Sequence, residues 1–140
     1  MDQITGEAQV VGIWGDPLAQ SLSPKMHNFA FKALGLNWIY VPFQVRAENL
    51  KAAVESLRAL NFVGVNVTIP HKENVVAFLD ELSPIAQQIG AVNTIVNRQG
   101  KLCGDNTDAP GFLNAIKEQT QFNPKSKRAV LLGAGAKGKG

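Results

Sequence analysis

The stretch NVTIPHK, residues 66–72, decides how the middle of the chain folds. Its β-branched residues predict a strand over residues 62–69, and Pro70 ends it because proline has no N–H for a strand ladder. Side chains in a strand alternate between its faces, so Asn66 and Thr68 share one face. The sequence therefore predicts two polar groups near the carboxyl end of a strand, followed at once by a cation, Lys72.

Strands and helices alternate on both sides of this stretch. A predicted helix begins at Ser23-Pro24 and stops at Gly35, and Gly90 ends another. The further predicted strands span residues 9–14, 37–45, 91–97 and 101–103, and the further helices span residues 47–60 and 72–79. This order predicts an α/β fold of three layers, in which helices cover a mostly parallel sheet. The last two strands follow each other closely, which predicts an antiparallel pair and a mixed sheet.

The end of the chain differs in composition from the rest. Asp108 opens a predicted helix, residues 122–127 form a polar linker, and residues 128–132 read as a fresh apolar strand. We therefore expect a substrate-binding domain over residues 1–108, a linking helix and linker over 109–127, and the stub of a Rossmann-type domain over 128–140.

Composition narrows the class of protein. The chain has 140 residues, of which 45% are hydrophobic, and a single cysteine, Cys103. One cysteine excludes an intrachain disulfide and favours a reducing compartment, so we expect a soluble cytoplasmic protein. No apolar stretch approaches the length of a membrane span, so we expect no membrane partner.

The net charge of +3 belongs to the tail of the chain. Residues 1–116 carry 8 Lys and Arg against 10 Asp and Glu, whereas residues 117–140 carry 6 against 1. A nucleic-acid-binding protein needs a basic surface on its folded body. We therefore expect no nucleic-acid partner.

Several polar residues allow both a structural and a functional interpretation. A lysine at the start of a helix opposes the helix dipole, so Lys72 either swings into water or is held at a pocket mouth for proton transfer, and spacing alone leaves the two equal. Asp108 and Ser23 suit helix N-caps, and Asn93 suits a hydrogen bond inside the sheet. Ser21 has no such local role, and with Ser23 it offers two hydroxyls ahead of a helix, which suits a carboxylate.

The sequence also bears on a metal site and on a dinucleotide-binding site. Two histidines and one distant cysteine do not make a metal site. VLLGAGAKG fits the start of a dinucleotide-binding turn after a predicted strand, with Gly133, Ala134 and Gly135 in its first turn. The motif is incomplete, because the helix and second strand that complete such a site do not follow in this sequence.

Taken together, SLSPKMHN, NVTIPHK, GAVNT and GDNTDAPGF, followed by VLLGAG, resemble shikimate dehydrogenase from about residue 9 to residue 135. The resemblance implies NADP-dependent, reversible reduction of 3-dehydroshikimate to shikimate in aromatic amino-acid biosynthesis. It also implies a substrate lobe and a cofactor lobe that face each other across a cleft.

The resemblance assigns roles to particular residues. Ser21 and Ser23 would bind the substrate carboxylate, and Lys72 and Asp108 would form the catalytic pair. Three further residues would bind the ring hydroxyls of the substrate: Asn66, Thr68 and Asn93. The glycine turn at Gly133, Ala134 and Gly135 would bind NADP.

The sequence departs from the family after that turn, where most of a cofactor lobe is absent. We therefore expect this chain alone to lack turnover, and we expect self-association or local disorder around the unpaired strand at residues 129–132. Two alternatives stay open. One is a non-catalytic module that binds shikimate, and the other is a dehydrogenase of the same family that prefers quinate.

Overall fold

The computed structural model describes residues 4–120, 122–130 and 132. Six strands form one sheet: β1 Gln9–Gly15, β2 Trp38–Gln44, β3 Gly64–Val67, β4 Glu81–Leu82, β5 Thr94–Arg98 and β6 Lys101–Asp105. Four α-helices accompany them: α1 Ser23–Ala33, α2 Leu50–Ala59, α3 Pro84–Ile89 and α4 Asp108–Thr120. Within these residues no helix is long and apolar enough to cross a membrane.

The sheet is mixed, with the strand order β2-β1-β3-β5-β6-β4. β1 pairs in parallel with β2 and β3, and β4 pairs in parallel with β6. β5 runs antiparallel to both β3 and β6. Pro42 lies in β2, which is an edge strand and tolerates a residue without an N–H. The predicted mixed, mostly parallel sheet with an antiparallel pair is therefore confirmed.

One face of the sheet carries the main apolar core. Val54 and Leu57 of α2 pack there against Val65 and Ile95, and all four side chains are buried. β3 and β5 approach each other so closely that a Cβ on Gly64 would lie 2.3 Å from the carbonyl oxygen of Ile95. Glycine at this position is therefore required by the close contact of the two strands.

The other face is covered by α1. Asn28 fixes the helix to β2, because its Nδ2 donates to the carbonyl oxygen of Tyr40 at 2.9 Å and its Oδ1 accepts from the Tyr40 amide at 2.8 Å. His27 stacks on the Tyr40 ring at a centroid distance of 4.2 Å. Helices therefore lie on both faces of the sheet, as the three-layer prediction requires.

Three boundaries around residues 62–82 differ from the prediction. β3 is shorter than the predicted strand 62–69, and the predicted helix 72–79 is a 3-10 helix, Asn74–Phe78. Lys72 therefore lies in the turn before that helix and not in its first turn, so the helix-dipole interpretation of Lys72 was wrong. The short edge strand β4 was not predicted, because two residues carry too little pattern to be recognised.

The predicted strand at residues 128–132 is not formed in its described part. Residues 128–130 have no regular secondary structure, and Val130 is 88% exposed. The edge strands of the sheet are β2 and β4, and residues 128–130 pair with neither of them. The predicted glycine turn at Gly133, Ala134 and Gly135 lies outside the described residues.

Tyr40 makes the stability of this layer depend on pH. Tyr40 is 4% exposed, and burial raises the pKa of its hydroxyl from 10.0 to about 12. A hydrogen bond with the Ser23 side chain lowers this pKa, but by less than burial raises it. In the unfolded chain the same hydroxyl ionises near pH 10. Because the folded state holds this proton more tightly, its contribution is complete below pH 10 and is lost as the pH rises towards 12.

We therefore expect the free energy of unfolding to fall by about 2 kcal/mol more in the wild-type chain than in Tyr40→Phe between roughly pH 9.5 and 11.5. Urea titrations of both proteins at the two pH values measure this difference. Parallel losses in the two proteins would show that Tyr40 ionises as easily in the folded state as in the unfolded chain.

Candidate active site

The directions of the strands bring several loops to one edge of the sheet. The parallel strands β1 and β3 end there, at Gly15 and Val67. β5 runs the other way, so its beginning at Thr94 lies at the same edge, and β6 ends there at Asp105. Ligands of open α/β sheets bind at the carboxyl ends of parallel strands. Each residue to which the resemblance assigns a substrate contact lies in one of these strands, in a loop that adjoins one of them, or at the start of α1 or α4.

Lys72 and Asp108 form an ion pair at this edge. Lys72 Nζ donates to Asp108 Oδ2 at 2.5 Å, and the two side chains are 19% and 37% exposed. The backbone of Lys72 is also fixed, because its carbonyl oxygen accepts from the amide of Val92 at 2.8 Å. Lys72 is therefore held in place at both its backbone and its ammonium group, and it does not swing freely into water.

Asp108 is held by two asparagines. Asn93 Nδ2 donates to Asp108 Oδ1 at 2.8 Å, so each carboxylate oxygen accepts one hydrogen bond. The buried Asn106 accepts from the Asp108 amide at 3.1 Å and donates to the carbonyl oxygen of Ala91 at 3.1 Å. The expected N-cap role thus falls to Asn106, whose Oδ1 binds amides at the helix start, while the Asp108 carboxylate is directed at Lys72.

A separate cavity of about 530 Å³, the serine cavity, lies beside the loop that joins β1 to α1 and carries Ser21. Ser21, Ser23 and Thr68 contribute hydroxyl groups to its wall, and Ile13, Pro17 and Leu18 contribute apolar surface. Ser23 is the first residue of α1, so the predicted N-cap role is wrong; Leu22 precedes the helix without a side-chain cap. The Ser23 hydroxyl is therefore not consumed by capping its own helix.

Asn66 is connected to Asp108 through a series of side-chain hydrogen bonds. Its Oδ1 accepts from the Tyr40 hydroxyl at 2.8 Å, and its Nδ2 donates to Thr94 Oγ1 at 3.1 Å. Thr94 Oγ1 in turn donates to Asn93 Oδ1 at 3.0 Å. Asn66 also lines a second, largely apolar cavity of about 350 Å³ beside α1.

Six of the seven predicted substrate-site residues thus fall into two groups, whereas Asn66 lines the apolar cavity beside α1. The serine cavity holds Ser21, Ser23 and Thr68, whereas Lys72, Asn93 and Asp108 are joined by direct hydrogen bonds and do not line that cavity. Residues 66–72 belong to both groups, because Thr68 faces the cavity and Lys72 binds Asp108. The stretch therefore connects the place suited to a carboxylate with the place suited to proton transfer.

His71 supports this turn from inside. It is fully buried, and its Nε2 lies 2.6 Å from the carbonyl oxygen of Val45. A carbonyl oxygen only accepts, so Nε2 carries the proton. Nδ1 has no hydrogen-bond partner among the described residues. His71 thereby ties the turn that carries Lys72 to the end of β2.

Sequence reasoning missed three residues that hold the site. Tyr40 lay within the predicted strand 37–45, Thr94 within the predicted strand 91–97, and Asn106 within the motif GDNTDAPGF. The contact of Tyr40 with Asn66 joins β2 to β3 across β1. Nothing in the local pattern indicated the contacts of Thr94 and Asn106, which join separate strands and loops.

Known proteins resemble this chain in sequence. The family model of the shikimate dehydrogenase substrate-binding domain matches residues 13–95, more than half of the chain. A shikimate dehydrogenase (NADP(+)) of Desulforamulus reducens is 57% identical over 133 residues, which is 95% of this chain and 46% of the relative. The chain thus spans about half the length of the curated relatives it matches.

Solved structures share the fold. Shikimate 5-dehydrogenase from Listeria monocytogenes, solved in complex with shikimate and NAD, has a TM-score of 0.82 and 45% identity, over 85% of this chain and 41% of that structure. The 5-ketofructose reductase of a Gluconobacter strain has a TM-score of 0.85 and 36% identity, over 96% of this chain and 48% of that structure. On the family match, the chain belongs to the family of shikimate dehydrogenase substrate-binding domains.

Proposed function

We propose that this chain is the substrate-binding part of an NADP-dependent shikimate dehydrogenase, which interconverts 3-dehydroshikimate and shikimate. The observation that carries the proposal is the part-buried Lys72–Asp108 ion pair at the sheet edge where β1 and β3 end. Residues 1–108 are the proposed substrate domain, and 109–127 the linking segment. We assign residues 128–140 to the start of the cofactor domain.

Ser21 and Ser23 are proposed to bind the substrate carboxylate. They precede and begin α1, where the positive end of the helix dipole favours an anion. Thr68 lines the same cavity and offers a hydroxyl to the ring. A cavity of about 530 Å³ with these three hydroxyls in its wall has the size and polarity for a carboxylated, hydroxylated six-membered carbon ring.

Asn66 and Asn93 are proposed to contact ring hydroxyls, with different capacity to do so. The two donor directions of Asn93 already serve Thr107 Oγ1 at 2.9 Å and Asp108 Oδ1 at 2.8 Å. Asn66 has one strong donor contact, to Thr94, and a weaker one of 3.4 Å to the carbonyl oxygen of Asn93. Asn66 therefore has the freer N–H, and the main effect of Asn93 is to hold Asp108.

Lys72 is proposed to handle the proton of the reaction. Reduction of a ring ketone builds negative charge on its oxygen, and an ammonium group beside that oxygen stabilises the charge and donates a proton. Asp108 holds Nζ at 2.5 Å and so keeps the ammonium group directed at the sheet edge. In the oxidation direction the same pair takes the hydroxyl proton. NADP, when bound to the longer protein, supplies or accepts the hydride.

Shikimate binding tests the proposed ligand. We expect isothermal calorimetry to detect binding of shikimate to the chain, with quinate binding more weakly. The double variant Ser21→Ala/Ser23→Ala should weaken shikimate affinity at least about tenfold, because two donors to a carboxylate are lost. Ser56→Ala removes a hydroxyl hydrogen bond within α2 and should leave the affinity unchanged.

Absence of shikimate binding at millimolar concentration would contradict the proposed ligand. Equal affinity in the wild-type chain and the double serine variant would contradict the proposed carboxylate site. A preference for quinate would favour the quinate-using alternative.

Turnover tests the proposed role of Lys72. We suggest joining this chain, up to its linker, to the cofactor-binding part of the Desulforamulus reducens relative and following NADPH formation from shikimate. Lys72→Ala should lower kcat about 100-fold, because a positioned proton donor contributes roughly 10²–10⁴. Lys51→Ala removes an exposed lysine of α2 and is the matched control.

A loss of less than about tenfold in Lys72→Ala, equivalent to roughly 1.4 kcal/mol, would contradict the catalytic role. Shikimate binding without any turnover in the fused wild-type protein would favour the alternative of a non-catalytic binding module.

A further inference from the structure

A continuous chain of side-chain hydrogen bonds crosses the face of the sheet and ends at Asp108. It runs from Tyr40 to Asn66 at 2.8 Å, from Asn66 to Thr94 at 3.1 Å, from Thr94 to Asn93 at 3.0 Å, and from Asn93 to Asp108 at 2.8 Å. These residues come from β2, β3, β5 and α4 and the segment before β5. The orientation of each side chain therefore depends on its neighbours in the chain.

The direction of the hydrogen bonds is fixed from the Asp108 end. The backbone amide of Thr107 donates to Asn93 at 2.9 Å, and an amide N–H can bind only the oxygen of the Asn93 side chain. Asn93 Nδ2 consequently faces Asp108, whose carboxylate accepts. Because Asn93 Oδ1 also faces Thr94, the Thr94 hydroxyl proton points at Asn93 and its lone pair is free for Asn66.

This direction determines how Asn66 is oriented. Its Nδ2 must face Thr94, which accepts, and its Oδ1 must face Tyr40, which donates. If the amide were turned over, Oδ1 would face the Asn93 carbonyl oxygen, and the Tyr40 hydroxyl would have to accept from Nδ2 instead of donating to Oδ1. Thr94 could adapt by rotating its hydroxyl, so the Asn93 carbonyl oxygen and the Tyr40 donor together make the turned-over form unfavourable.

Tyr40 is suited to be that donor. Its side chain is buried and stacked on His27, and its backbone is bound on both sides by Asn28. Its hydroxyl, whose pKa burial raises to about 12, is protonated across the neutral range and has a proton to donate. Tyr40 lines the apolar cavity beside α1 together with Asn66, and it does not line the serine cavity.

We propose that Tyr40 is a positioning residue for substrate recognition: it holds the Asn66 amide with its nitrogen towards Thr94, so that the N–H with only a 3.4 Å contact to the Asn93 carbonyl oxygen is the one offered to a substrate hydroxyl. The proposal goes beyond the proposed function and rests on it for the identity of the ligand. It implies that Asn66 recognises a ring hydroxyl as an acceptor. A substrate without an oxygen at that position loses this contact, so Tyr40 contributes to specificity through Asn66.

A double-mutant cycle on the 140-residue chain tests whether Tyr40 acts through Asn66. Shikimate affinity is measured by NMR titration for the wild type, Tyr40→Phe, Asn66→Ala and the double variant, with Ser56→Ala as the control. We expect Tyr40→Phe to weaken affinity about tenfold, or 1.4 kcal/mol, in the wild type but less than about twofold in the Asn66→Ala background. Equal weakening in both backgrounds, or none in either, would overturn the proposal.

A second measurement needs no ligand and separates this proposal from the proposed function. In the wild type, nuclear Overhauser contacts from the Asn66 side-chain amide protons should reach Thr94, and in Tyr40→Phe they should weaken as the amide samples both orientations. Unchanged contacts in Tyr40→Phe would overturn the positioning role. A wild-type chain that binds no shikimate contradicts the proposed function, while the amide contacts still decide the role of Tyr40.

Thr94→Val provides an independent variant if Tyr40→Phe fails to fold. It removes the other partner of the Asn66 amide and should weaken shikimate affinity in the wild type but not in the Asn66→Ala background. Thr94→Val with full affinity and unchanged amide contacts would overturn the proposal.

Discussion

The ion pair between Lys72 and Asp108 is the contact on which the rest of the site depends. It joins residues 36 positions apart, one in the turn after β3 and the other at the start of α4. Charges that are part-buried need partners, so neither side chain can leave its place without cost to the other. The surrounding asparagines fit this constraint, because Asn93 binds the second oxygen of Asp108 and Asn106 holds its backbone.

The mixed sheet makes this pairing possible. In a purely parallel sheet the segment before β5 would lie at the opposite edge, far from the end of β3. Because β5 is antiparallel to β3, Asn93 and Thr94 lie beside Asn66, and the return of β6 brings Asp108 to Lys72. The antiparallel pair is therefore the topological feature that brings the polar residues of four segments together.

Much of this arrangement could be predicted from local pattern. The alternation of strand and helix, with its proline and glycine boundaries, predicted most of the secondary-structure elements. The shared strand face of Asn66 and Thr68 predicted polar groups near the carboxyl end of β3. The resemblance supplied the pairing of Lys72 with Asp108, which no spacing could give. The contacts of Tyr40, Thr94 and His71 were not predictable, because each depends on which strands become neighbours. The helix after Lys72 was overestimated, since apolar spacing at residues 75–79 fits a 3-10 helix and an α-helix equally well.

The most direct test of the proposed site is a crystal structure of this chain with shikimate bound. We predict the carboxylate at Ser21 and Ser23, and a ring hydroxyl within about 3.2 Å of Lys72 Nζ, so that one ligand spans the serine cavity and the ion pair. A shikimate ring bound away from Lys72, or a carboxylate bound to Lys72 in place of the serines, would contradict this site.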